Sequence, residues 1–174
     1  MFQPAYAADL ISSLQAFATT VRQGIYGHTH MMEFRVIADA NGGPLVGNQG
    51  IPAVSPIFGN NPAFVVLTLD AASRAITDYT VHTLTDLTAA GGNAPAVWSK
   101  EYAFREAYGG EAFSARALAE LQGTLNADAN ARASFIRFYD SGSGRAGPTM
   151  TTWRAYWCGI GNLDPLAFMR CSGG

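Results

Sequence analysis

The feature that most constrains this chain is the run Ala63-Phe64-Val65-Val66-Leu67-Thr68-Leu69, which a short turn around Ala71 to Arg74 joins to a second β-rich run, Ala75 to Leu84. Runs this short and this rich in Val, Leu and Phe read as strands rather than helices. The first is apolar at odd and even positions alike, so it is expected to be an internal strand covered on both faces. Two strands so close in sequence pair most simply as an antiparallel hairpin.

Helical periods flank this hairpin. Leu10, Leu14, Phe17, Val21 and Ile25 recur at spacings of three or four, which predicts one helix, with Asp9 near its start and Gly24 as its stop. The turn Gly27-His28-Thr29-His30 follows, then an extended stretch from Glu33 to Ile37 closed by Asn41-Gly42-Gly43-Pro44. Residues Asn48 to Pro62, with prolines at 52, 56 and 62, read as loop. The Gly/Ala/Asn/Pro stretch from Thr88 to Pro95 is a candidate boundary. Beyond it Trp98, Tyr102 and Arg105 lie at helical spacing. Ser114 is a fitting N-cap for a helix bearing Leu118, Leu121 and Leu125. A third helix carries Ala131, Phe135, Phe138 and Tyr139, and Asp140 to Pro148 is a Gly/Ser loop. The expectation is an α/β (α+β) fold, with residues 1–88 as one unit and residues 95–174 as a small helical subdomain.

Composition narrows the function classes. Charged residues are 14% and hydrophobic ones 48%, which suits a packed globule and not a disordered tail. The eleven basic residues are scattered singly and the net charge is −2, so the sequence has neither a nucleic-acid footprint nor a polybasic membrane patch. No apolar run reaches the roughly 18 residues of a membrane span. Met1-Phe2-Gln3-Pro4 has no basic region ahead of an apolar stretch, so it does not read as a signal peptide. The cysteines, Cys158 and Cys171, are close together and even in number, which favours a small disulfide loop and an oxidising compartment, extracellular, periplasmic or lysosome-like. Two unpaired, small apolar side chains are the alternative.

Three histidines are present. His28 and His30 stand two apart, and in extended backbone such residues point to the same side. Neutral imidazoles are good ligands for zinc and related metals, and a pair of metals about 3.5–4 Å apart can clamp a phosphate and activate water. The same spacing also suits a structural or surface role. His82 alternates with Thr80 and Leu84 as an ordinary strand residue.

The surrounding text favours the metal reading. Tyr26-Gly27-His28-Thr29-His30 followed by Glu33-Phe34-Arg35-Val36 resembles the last metal-binding motif of the acid sphingomyelinase-like phosphodiesterases, a branch of the calcineurin-like metallophosphoesterases. Ser55-Pro56-Ile57-Phe58-Gly59-Asn60-Asn61-Pro62-Ala63-Phe64 resembles the loop and strand that follow it there. The resemblance implies the closing portion of a two-sheet αββα sandwich, with His28 and His30 each binding one metal of a divalent pair, zinc by ligand type, though iron or manganese suit similar sites. It implies a phosphodiester substrate, a phospholipid head group or a nucleotide, and it places Asn61 in the substrate pocket. Glu33 matches the family's usual acid; Met32 stands where an acid is common. The family's earlier motifs, Asp-x-His, Gly-Asp and Gly-Asn-His among them, are missing. The chain therefore reads as the end of a longer protein or of a split gene, needing an amino-terminal half in cis or in trans. A non-catalytic binding or scaffold fragment is the rival reading.

Overall fold

The computed structural model describes residues 4–92, 94–110 and 112–173. Helix α1 (Pro4–Ala16) leads into strands β1 (Gln23–Tyr26), β2 (Phe34–Ala38), β3 (Pro44–Gly50), β4 (Ala63–Leu69) and β5 (Ile76–Leu84). Then come α2 (Leu87–Gly91), β6 (Trp98–Ala103), α3 (Phe104–Tyr108), α4 (Ala115–Ala127), α5 (Ala129–Tyr139), α6 (Trp153–Gly161) and α7 (Pro165–Ser172). The strands form two three-stranded sheets, ordered β1-β3-β2 and β4-β5-β6. The fold is thus mixed α and β with two sheets, as expected.

In the first sheet β1 runs parallel to β3, with Tyr26 opposite Gly50, while β2 runs antiparallel to β3. The second sheet is wholly antiparallel and contains the expected hairpin, β4 with β5. One core joins both sheets to the helices. Phe34 and Val36 from β2, Tyr79 and Val81 from β5, Leu118 and Leu125 from α4, Phe135 from α5 and Ile160 from α6 belong to a single buried cluster. Gly47 explains how α4 reaches the sheet: a Cβ there would stand 3.1 Å from the Ala115 backbone and 3.0 Å from the Leu118 side chain. The helix seats directly on bare backbone. Burying Leu118 and Leu125 completely, each at 0% exposure, contributes about 1.5–3 kcal/mol apiece.

The helix ends follow local chemistry. Ser114 Oγ accepts the Ala117 N–H and Asp128 accepts the N–H groups of Asn130 and Ala131, the caps of α4 and α5. Cys158, buried in α6, is disulfide-bonded to Cys171 in α7. Among the described residues no helix is long and apolar enough to cross a membrane.

Four expectations are corrected. The first helix stops at Ala16; Phe17 and Val21 lie beyond it, Ile25 belongs to β1, and all three are exposed. Their helical spacing is coincidental, and Gly24 is a strand residue whose Cβ would collide with the Asn48 side chain on β3. Within the expected loop, residues 48–50 are the end of β3, a strand whose Gly, Asn and Gln content hid it. Strand β4 lies at a sheet edge with one face outward, Phe64 at 39% and Val66 at 50% exposure, so its double-faced apolarity does not reflect double-sided cover. Finally, residues 98–103 are not helical. They form β6, which pairs with β5 and carries the second sheet across the expected boundary at 88–95.

Candidate metal-ligand motif

Strand β1 delivers the histidines. It ends at Tyr26, and the chain turns through residues 27–33 before β2 begins. Backbone hydrogen bonds close this turn from several sides. Gly50 N–H donates to Glu33 O at 2.6 Å, Ile51 N–H to Tyr26 O at 2.8 Å, and Met32 N–H to Tyr139 O at 2.8 Å. The turn is therefore pinned to the exit of β3 and to the end of α5.

The turn is not extended. His28 has φ 118° and His30 φ 67°, left-handed values that side chains rarely adopt. The same-side argument from extended backbone therefore does not apply. Strain of this kind persists only where surrounding structure enforces it, and it concentrates at functional sites.

Glu33 enforces much of it. This carboxylate is buried, and its Oε1 accepts from Thr29 Oγ1 at 2.8 Å, fixing the residue between the histidines. Its Oε2 accepts from Arg35 Nη2 at 3.3 Å, and Arg35 Nη1 donates to Gly159 O at 2.6 Å. Gln49 Nε2 donates to the Glu33 carbonyl at 2.9 Å. Close by, Tyr26 has its hydroxyl buried without a partner, and its acidity is suppressed first by burial and then by the Glu33 charge.

The two imidazoles have different surroundings. His28 is exposed and lines a cavity of about 420 Å³ with Tyr26, Thr29, Glu33, Arg35 and Asn48. The ring of His30 packs against Phe58, centroids 4.7 Å apart, and its Nδ1 is buried with no hydrogen-bond partner. An orphaned imidazole nitrogen fits a ligand whose metal or partner comes from elsewhere. No group of three or more His, Cys, Asp or Glu side chains that could hold a metal occurs among the described residues. His28 and His30 thus offer two imidazole donors, a ligand type that suits zinc and related metals.

The other sequence candidates are placed as follows. Asn61 N–H donates to Asp140 O at 3.1 Å and Asn61 Nδ2 to Ser141 O at 3.0 Å, so this residue ties its loop to the turn after α5. It does not line the His28 cavity. Met32, where an acid is common in the family, is 4% exposed and belongs to the apolar core. His82 lies on β5 with its ring stacked 5.1 Å from that of Phe64. Sequence reasoning missed Asn60, which is wholly buried and donates to the carbonyls of Ala53, Ser55 and Asn61, holding the loop that carries Phe58.

The two-sheet α+β fold is the kind of structure the sequence resemblance implies, and the chain's relatives are named as sphingomyelinase-like phosphodiesterases. No protein-family model matches. The chain is 24% identical over 174 residues to the cyclic GMP-AMP phosphodiesterase SMPDL3A of Rattus norvegicus, covering 95% of this chain and 39% of that protein. The human protein of that name is 26% identical over 176 residues, again 95% of this chain and 38% of the relative. Sphingomyelinase phosphodiesterase D of Dictyostelium discoideum is 32% identical over 108 residues, 59% of this chain and 24% of that protein. The chain spans about two fifths of the length of the SMPDL3A relatives, 39% for the rat protein.

Proposed function

We propose that this chain supplies the last metal-ligand motif of a metal-dependent phosphodiesterase, with His28 and His30 each donating to one of two divalent metals, zinc best suited to the imidazoles. The carrying observation is the His28-Thr29-His30 turn, held at positive φ beside buried Glu33, in a chain whose relatives are named as phosphodiesterases. The bound metals would activate water and neutralise phosphate charge. His28 at the mouth of its cavity and His30 with its orphaned Nδ1 are the groups this chain offers. Thr29, Glu33 and Arg35 hold the turn so that the imidazoles need little reorganisation on binding.

The remaining ligands come from an amino-terminal half, in cis or in trans. Strand β1 supports this: among the described residues it pairs only with β3, which leaves its other edge open, and Ile25 on it is 46% exposed. Such an edge is a template for further strands. The substrate class is a phosphodiester, a nucleotide or a phospholipid head group. The disulfide supports an oxidising compartment, extracellular, periplasmic or lysosome-like. The rival reading is a non-catalytic binding or scaffold fragment, in which the double histidine variant changes nothing beyond stability.

The test is hydrolysis of bis(4-nitrophenyl) phosphate by this chain, alone and combined with a polypeptide carrying the family's Asp and Asn-His motifs. Zinc-dependent turnover in the combination, abolished by His28→Ala with His30→Ala, is expected. Turnover that the double variant leaves intact, or none in the assembled complex, sinks the proposal.

A further inference from the structure

Away from the histidine turn, the half-buried acid Glu101 has a carboxyl group with no structural explanation. Glu101 stands in β6 at a register shift: Tyr102 pairs with Val81 and Lys100 with His82, so Glu101 is the extra residue of a bulge. Bulges re-aim side chains. Both Glu101 carboxyl oxygens are buried with no hydrogen-bond partner. The side chain reaches the turn that follows α5, where a Cβ on Gly142 would lie 3.1 Å from Glu101 Oε1; Gly142 has φ 71°. That turn holds two more orphaned oxygens, Asp140 Oδ1 and Ser141 Oγ, on residues 1% and 2% exposed.

An ionised carboxylate only accepts, so three acceptor oxygens of Glu101 and Asp140 lie buried without donors. A neutral Glu101 brings an O–H; Asp140 Oδ1 is an acceptor in want of one, and the unpartnered Ser141 hydroxyl can accept as well as donate. The facing charges agree. Burial is the first cause pushing the Glu101 carboxyl up from its ordinary 4.5 to about 7; Arg137 on α5 opposes this and Asp140 adds to it. On its own strand, Lys100 is engaged 2.7 Å away by Glu106.

The turn matters because of what it carries. Asp140 O and Ser141 O accept from Asn61, Ser143 Oγ donates to Gly59 O, and Asp140 Oδ2 accepts the N–H groups of Arg145 and Ala146. Gly59 and Asn61 belong to the loop whose Phe58 packs on His30.

We propose that Glu101 is a positioning residue that works as the neutral acid, sharing its proton with the Asp140–Ser141 turn and thereby fixing the 55–62 loop against His30. When the proton leaves to solvent, two carboxylates face each other under the turn and its grip on that loop loosens. The consequence for His30 rests on the metal-ligand reading; the proton-linked anchoring of the turn does not.

Between pH 4.5 and about 7 the folded chain holds a proton that the unfolded chain has lost. Stability from this group is therefore complete below the unfolded value and is lost as pH rises towards 7. The experiment is thermal unfolding of wild type and Glu101→Gln from pH 5 to 8, with amide NMR of Gly142 and Asn61. The wild type should lose about 3–6 °C more than the variant over this range, since the amide of Gln mimics the acid's donor at every pH. The Gly142 and Asn61 signals should move with a midpoint near 7 in the wild type and stay fixed in the variant. Equal pH dependence in both proteins, or a variant that melts far below wild type at pH 5, overturns the proposal. So does a rise in the wild-type melting temperature with millimolar calcium at pH 8, which would assign these oxygens to a cation instead. None of these readouts involves the histidine metals, so this proposal and the metal-ligand reading fail separately.

Discussion

Replacing Glu33 with Gln keeps its volume and removes its charge, which isolates what the carboxylate does for the histidine turn. The Glu33 side chain is 10% exposed and that of Arg35 28%, so the pair is largely withdrawn from water. Hydrogen bonds to charged groups contribute about 1.5–3 kcal/mol, and Glu33 accepts two, from Thr29 and from Arg35. The Arg35 contact is long at 3.3 Å, and Arg35 keeps its bond to Gly159 O, so its share lies at the low end. The amide can still accept from Thr29, but then its NH₂ faces the guanidinium. The net loss is about 2 kcal/mol, which for a chain of this size lowers the melting temperature by about 4–8 °C. Urea unfolding at pH 7, followed by tryptophan fluorescence, should show a lower midpoint with an unchanged slope. Adding Thr29→Val should reveal coupling of about 1 kcal/mol between the two positions. A Glu33→Gln cost under about 0.5 kcal/mol, or zero coupling with Thr29, refutes the claim that this carboxylate holds the turn.

Other perturbations probe the frame around it. Replacing Cys158 and Cys171 by alanine reopens a loop of sequence separation 13 and should cost about 3 kcal/mol, read as a lowered urea midpoint that dithiothreitol reproduces in the wild type. Gly50→Ala places a Cβ 2.7 Å from Glu33 Cγ and 2.9 Å from the Glu33 carbonyl oxygen, so calorimetry should show a loss of about 1–3 kcal/mol. Leu118→Ala empties a fully buried position beneath β3, and chemical denaturation should register about 2–5 kcal/mol.

The sequence disclosed elements whose signal is local. The β4–β5 hairpin, the Ser114-capped helix α4, helix α5 and the disulfide were legible because short β-rich runs, helical spacing, capping and cysteine proximity act over a few residues. Strand β3 was hidden because Gly47 and Gly50 are there for close approach, of α4 in one case and of Glu33 in the other, and close approach leaves no apolar pattern. Strand β6 was misread because Trp98, Tyr102 and Arg105 happen to fall at a helical spacing and a bulge at Glu101 breaks the strand alternation. At the candidate site the histidines announced themselves by chemistry, but their positive φ did not, since neither residue is glycine. Glu101 was invisible for a plainer reason: its carboxyl group is covered by a turn about forty residues later, and no local pattern reports that.

The central claim is that His28 and His30 act together as metal ligands, and His82 provides an internal control. Two-dimensional NMR of this chain's three imidazoles, in complex with the polypeptide carrying the missing ligand motifs, during titration with zinc tests it directly. The account predicts that the His28 and His30 ring signals shift together while His82, stacked on Phe64, stays fixed. Removing either histidine of the pair should weaken the response of the other. Three histidines responding alike, or His28 and His30 responding independently or not at all, would contradict the claim.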